Sequence, residues 1–142
     1  LRPLMGNWVF GCDVCQEVCP YNRVAAPAAH ETWPADPARG TMGLLDLLAL
    51  DEEAFRRRFR GTAILRAKRR GLLRNACVAA GNWGDPAAIP VLIGLLADPE
   101  PLIRGHAAWA LGRIGGPDAR RALAARAAIE DDVWVRAEIT AA

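Results

Sequence analysis

The sequence has little that would take it to a membrane or out of a cell. No apolar run approaches the roughly 20 residues that span a bilayer, and residues 1–6 offer neither the basic region nor the long apolar stretch of a signal peptide. Cysteine is scarce, with four in 142 residues; Cys12, Cys15 and Cys19 crowd together while Cys77 stands far away. An odd cluster is a poor disulfide framework and suits a reducing, cytoplasmic compartment. Lysine is nearly absent, Lys68 being the single one among 18 basic residues, and no acidic residue falls between Phe55 and Arg74. Apolar residues are plentiful: at 52% hydrophobic the chain can bury one core, with room for a small appendage. A start at Leu1 rather than methionine reads as an entry in mid-protein, so a fragment is expected.

The run Gly11-Cys12-Asp13-Val14-Cys15-Gln16-Glu17-Val18-Cys19-Pro20 has the spacing Cys-x2-Cys-x3-Cys-Pro, the tail of a ferredoxin-type iron–sulfur run. Three thiolates do not complete a four-iron cluster, and the cysteine that precedes proline serves the neighbouring cluster. Cys12 and Cys15 therefore read as ligands of one 4Fe-4S cluster and Cys19 as a ligand of another, with the remaining ligands in sequence that is not here. A structural zinc at the same three cysteines is a rival, since zinc knuckles share the Cys-x2-Cys start; the x3 spacing with Pro20 directly after Cys19 is iron–sulfur usage. The short run Asn7-Trp8-Val9-Phe10 would keep water from the cluster, although an ordinary buried strand or helix end is the preferred description of its apolar residues.

From Tyr21 to Gly40 the chain is rich in proline and alanine without periodicity, which reads as a linker or ordered arm. His30 within it has no partner motif and is assigned no role. Beyond Gly40 the pattern is helical. Thr41 or Gly43 precedes an apolar turn at Leu44, Leu45, Leu47 and Leu48. Asp51 caps a second short helix with Glu52 and Glu53 in its first turn. Gly61-Thr62 is expected to end that helix and cap the next, and Gly71 to allow a further break.

The remainder of the chain repeats. Gly81, Gly84 and Pro86 recur 31 residues on as Gly112, Gly115 and Pro117, and Leu73-Arg74 reappears as Ile103-Arg104 and Val135-Arg136. A helix, a Gly/Asp/Pro turn and a second helix at this period resemble short HEAT-like repeats. Pro86 and Pro117 suit a first helical position. Ile89, Leu92, Ile93 and Leu96 share one helical face, as do Ala107, Ala108, Leu111 and Ile114. Cys77 on such a face reads as a small buried hydrophobe, and Trp83, Trp109 and Trp134 as core or groove wall. The array breaks off inside a third repeat without a polar cap, so more chain is expected beyond it.

Nine basic residues and no acid lie between Phe55 and Arg74. Arg56 and Arg57 can pair with Glu52 and Glu53 at i, i+4; the sequence offers the others no acid at that spacing. The planar fork of arginine suits phosphate, so a polyanion is the expected partner, RNA before DNA.

Taken together, Trp8 to Asn22, Phe59-Arg60-Gly61-Thr62-Ala63 and Leu72-Leu73-Arg74-Asn75 resemble, in order and over essentially the whole chain, the C-terminal region of the epoxyqueuosine reductase family. The resemblance implies an oxidoreductase with a cobalamin-binding N-terminal domain, a ferredoxin-like pair of 4Fe-4S clusters and a HEAT-like domain holding the tRNA anticodon stem-loop. It would reduce the epoxide of epoxyqueuosine to queuosine with electrons from an external donor, as a cytoplasmic monomer, and this stretch alone would not turn over.

The expected fold is thus mostly α: the tail of a ferredoxin-like 4Fe-4S module at 1–22, a linker at 23–42 and a truncated HEAT-like α-helical repeat domain at 43–142. By the resemblance, Cys12 and Cys15 serve the cluster nearer the cobalamin, Cys19 serves the other, and the backbone of Cys12 and Asp13 lies against the corrin. Phosphate contacts are expected from Arg58, Arg60, Arg66, Lys68, Arg69 and Arg70, with Arg104 extending the patch. A rival class is an iron–sulfur electron-transfer subunit whose helical tail docks an acidic protein.

Overall fold

A computed structural model describes residues 1–24 and 42–142, and every regular element among them is helical. A 3-10 turn (Arg2–Met5) and the single-turn helix α1 (Val14–Glu17) precede α2 (Leu44–Leu48) and α3 (Glu52–Arg58). A second 3-10 turn (Ala63–Ala67) leads into α4 (Lys68–Trp83), and a third (Pro86–Ala88) into α5 (Ile89–Leu95). The chain continues as α6 (Pro101–Ile114), α7 (Pro117–Ala127) and α8 (Val133–Ala141). Most of the expected linker, with His30 and Thr41, lies outside the described residues. No helix among the described residues is long and apolar enough to cross a membrane.

The helices form two rows. α4, α6 and α8 stack side by side, and α5 and α7 pack against them as a second row. Leu72, Leu73, Ala76, Cys77 and Ala80 of α4 recur at helical spacing and meet Ile103, Ala107 and Leu111 of α6 in one core, which Leu92 and Leu96 complete. Leu73, Ile103 and Val135, matched by the repeat, are all 0% exposed, so the period marks equivalent core positions. Cys77 is likewise buried, and that burial pushes its thiol pKa far up, which leaves it inert. Close stacking needs small residues at two seats. A Cβ on Gly81 would lie 2.6 Å from the Trp109 ring, and one on Gly105 would collide with Trp134.

Two local expectations need correction. Gly71 sits inside α4 and breaks nothing; the chain turns instead at Lys68, whose φ of 57° and ψ of 160° separate the 3-10 turn from the helix. Thr62 does not cap, because its hydroxyl donates back to the Phe59 carbonyl at 2.8 Å. Pro86 takes a first helical position as expected, opening the 3-10 turn that runs into α5, with the Asp85 carboxylate accepting from the Ala87 N–H at 2.8 Å. Asp51 does cap α3, accepting from the Ala54 N–H at 2.7 Å.

Buried ion pairs tie one repeat to the next. Arg104 of α6 forks onto Glu130 at 2.9 and 2.8 Å and donates to the Asp98 and Pro99 carbonyls at 2.9 and 3.1 Å. Glu130 also accepts from Arg126 at 2.8 Å and from the Asp132 N–H at 3.0 Å, so both oxygens of a buried carboxylate are supplied with donors. Hydrogen bonding to Arg104 is the largest cause that holds its pKa down, from 4.5 to about 2. A depressed carboxylate stabilises the fold fully above its ordinary pKa, and that contribution disappears as pH falls from about 4.5 toward 2. Glu130→Gln, which strands the Arg104 charge, is expected to lower unfolding free energy by about 3–5 kcal/mol in denaturant titrations near neutral pH. The difference from the parent should shrink in acid; a constant difference down to the acid limit would rule out the ion pair as its source.

Candidate functional site

The cysteine turn is built locally. Asp13 takes a left-handed conformation (φ 47°) just before α1, and Gly11 (φ 65°) stands on the other side of Cys12, so the backbone turns twice around that residue. Beyond α1, the Asn22 N–H donates to the Cys19 carbonyl at 3.1 Å, while the Asn22 side-chain amide donates to the Gln16 carbonyl at 3.0 Å and to its side-chain oxygen at 2.9 Å. This closes the loop on itself. Cys12 and Cys15 are exposed, Cys19 is half-buried, and all three are free thiols. Among the described residues no three His, Cys, Asp or Glu side chains converge on one point. An all-thiol donor set, open to an incoming ligand, fits clusters completed by cysteines from elsewhere.

The segment that carries this turn is docked on the α4–α6–α8 row. Arg2 forks onto Glu138 of α8 at 2.6 and 2.5 Å and lies over the Trp109 ring, 5.5 Å from its centroid. That pairing, chiefly its hydrogen bonds, lowers the Glu138 pKa. Asn82 of α4 donates to the Arg2 and Gly6 carbonyls at 2.9 and 2.8 Å, and Asn75, two turns earlier on the same face, donates to the Val9 carbonyl at 2.8 Å. Val9 packs on the core while Trp8 and Phe10 stay exposed, so the short apolar run is neither strand nor helix end. On α6, His106 is buried, and burial is the first cause of its lowered pKa; its Nδ1 bonds the Leu102 carbonyl at 2.8 Å.

The arginine run does not act as one surface. Arg56 and Arg57 pair with Glu52 and Glu53 at 2.8 and 3.2 Å. Arg69 turns inward, donating to the Leu50 carbonyl at 2.7 Å and to Asp98 at 2.6 Å. Arg104, expected to extend the patch, is buried with Glu130 and reaches no surface. Sequence spacing could not separate these two from their exposed neighbours, because their acidic partners lie 29 and 26 residues away. Arg58, Arg60, Arg66, Lys68 and Arg70 are exposed. Lys68, Arg69 and Arg70, with Phe55, Arg56, Leu65, Glu52 and Glu100, line an open groove of about 500 Å³. Glu100 at its edge is an acid that the charge count did not anticipate.

With this geometry in view, residues 61–142 match the family model of HEAT repeats, more than half of the chain. The chain belongs to the HEAT-repeat family. These HEAT repeats and the segment before them are together 40% identical, over 141 residues, to epoxyqueuosine reductase of Listeria monocytogenes, covering 99% of this chain and 37% of that protein. Identity to the Pseudomonas aeruginosa epoxyqueuosine reductase is 43% over 118 residues, 81% of this chain and 32% of the relative. A crystal structure of epoxyqueuosine reductase with an epoxyqueuosine-modified tRNA-Tyr stem loop superposes with a TM-score of 0.88 at 35% identity, over 98% of this chain and 37% of that one. The chain thus spans about a third of the length of the relatives it matches, and the resemblance read from its cysteine and helical motifs holds.

Sequence reasoning missed the strain at the groove. Lys68 occupies a φ/ψ region that belongs almost wholly to glycine, at a cost of about 1–3 kcal/mol, and its side chain borders the groove. Such strain persists where the surroundings enforce it, here the inward anchorage of Arg69 next door. Lys68→Gly is expected to raise thermal stability by about 1 kcal/mol or more in a thermal melt. A drop in melting temperature would show that no strain is stored at this position.

Proposed function

We propose that this chain is the RNA-holding and cluster-bearing portion of an epoxyqueuosine reductase, an oxidoreductase that converts epoxyqueuosine to queuosine in tRNA. The observation that carries the reading is a junction: the Cys12–Cys19 turn is hydrogen-bonded through Val9, Gly6 and Arg2 to the same helical stack that bears the Lys68–Arg70 groove. A redox module and an anion-binding solenoid held in fixed register are what a reductase acting on a nucleotide within RNA requires. The names of the relatives, and the tRNA stem loop bound in one of them, support the same reading.

The division of the chain follows. Residues 1–22 complete a ferredoxin-like module, 23–42 connect, and 43–142 form the repeat domain that takes the tRNA anticodon stem-loop. Cys12 and Cys15 would hold one 4Fe-4S cluster and Cys19 another, with the backbone at Cys12 and Asp13 against a cobalamin held mainly by the rest of the protein. Together these groups supply low-potential electrons. Removal of the epoxide oxygen as water takes two electrons and two protons, the electrons entering from an external donor. The chain's own task is positional. Arg60, Arg66, Lys68 and Arg70, with Arg58 beside them, meet phosphates, which orient the RNA while a splayed nucleotide reaches the reaction centre. The protein works as a cytoplasmic monomer.

Replacing Lys68 and Arg70 together by glutamine in the intact protein is expected to raise KM for epoxyqueuosine-containing tRNA and leave kcat near the parent value. The plot of log binding constant against log salt should flatten by roughly 0.7–0.9 for each phosphate no longer neutralised. An unchanged slope would move the RNA off this groove. Failure of the intact, cluster-loaded protein to convert epoxyqueuosine to queuosine in tRNA would remove the reductase reading itself.

A further inference from the structure

We propose that Asn75 is a positioning residue for the iron–sulfur turn: its amide fixes Val9 on the helical stack, and through Val9 sets where Cys12 stands. The inference rests on the cluster-bearing role proposed for the turn. Both ends of the Asn75 side chain are engaged. Its Oδ1 accepts from Arg74 Nε at 2.9 Å, and its Nδ2 donates to the Val9 carbonyl at 2.8 Å. Because an arginine can only donate, the first bond fixes which end of the amide is the oxygen and leaves the NH2 to face Val9.

Three features set this bond apart from the other ties. Among the described residues it is the side-chain tie to the stack nearest Cys12, since Asn82 holds Arg2 and Gly6 and Arg2 holds Glu138. Past Val9 the chain runs through exposed Phe10 and then the two positive-φ residues, Gly11 and Asp13, that bracket Cys12. Three residues span at most about 10 Å, so the position of the Cys12 sulfur follows from where Val9 is anchored and how Phe10 and Gly11 turn. Finally, the burial of the segment does not need an amide here. Val9 already packs on the core, and a leucine at 75 would serve packing alone; a half-buried amide aimed at one carbonyl fixes register.

The test uses the intact protein, anaerobically reconstituted, with Asn75→Asp, which keeps an acceptor for Arg74 but offers no donor to Val9. Two readouts need no turnover: hydrogen exchange across residues 9–15 and the EPR spectrum of the reduced clusters. Faster exchange there with α4 still protected, together with a changed EPR spectrum or midpoint potential, is expected. KM for tRNA should stay within about twofold while kcat falls by roughly tenfold to a hundredfold, the cost of a misplacement near 1 Å. Asn82→Leu, removing the anchor farther from Cys12, should alter the spectrum less. Unchanged exchange and spectrum, or a lowered melting temperature as the sole effect, would overturn the proposal. Should Asn75→Asp fail to fold, Asn75→Ala gives the same readouts with the same meaning. If the parent protein binds clusters but does not act on epoxyqueuosine, the functional reading fails, while exchange and EPR still decide the role of Asn75.

Discussion

The fold depends on charges that cannot be left alone. Arg104 is buried, and a buried guanidinium without a partner would cost several kcal/mol, so its pairing with Glu130 is a condition for stacking α6 on the loop before α8. Asp98 has the corresponding role in the preceding repeat, where it receives Arg69 and at the same time offers its carbonyl to Arg104. The two links therefore share a residue. Each repeat holds its neighbour through an acid placed in the turn ahead of a helix of the α4–α6–α8 row, and the apolar core fills the space that these links define.

That arrangement explains why the molecule can be both arginine-rich and locally ordered around a basic groove. Arg69 is the pivot. By anchoring to Leu50 and Asp98 it fixes one wall of the groove, which Lys68 and Arg70 line beside it.

The sequence was legible where its signals were periodic or chemically narrow. Leu73, Ile103 and Val135 were equivalent by spacing and are equivalent in burial. Asp51 had the right residue type ahead of an acidic first turn, and it caps. The arginines that follow those core positions show the limit of the same signal. Arg74 reaches Asn75, Arg104 is sealed against Glu130, and Arg136 donates to the Asp131 carbonyl, so one repeated phrase has three fates set by what tertiary packing brings near. Gly71 was a reasonable break by composition, but in the first half of α4 the packing of Leu72 and Leu73 outweighs a propensity cost of about 1 kcal/mol. Asn75 and Asn82 were invisible as docking groups because their partners are backbone carbonyls, which every residue has.

The fork between Arg2 and Glu138 joins residues 136 positions apart. An ordinary helical-repeat array is an open spring that can fray from either end and flex along its axis, since each unit touches only its neighbours. Strapping the Arg2–Met5 turn to α8 braces α4, α6 and α8 across their row: twisting these three helices must either break the strap or drag the thiol-bearing segment with it. A distortion of the helical row would then be felt at the thiol-bearing turn without any dedicated messenger.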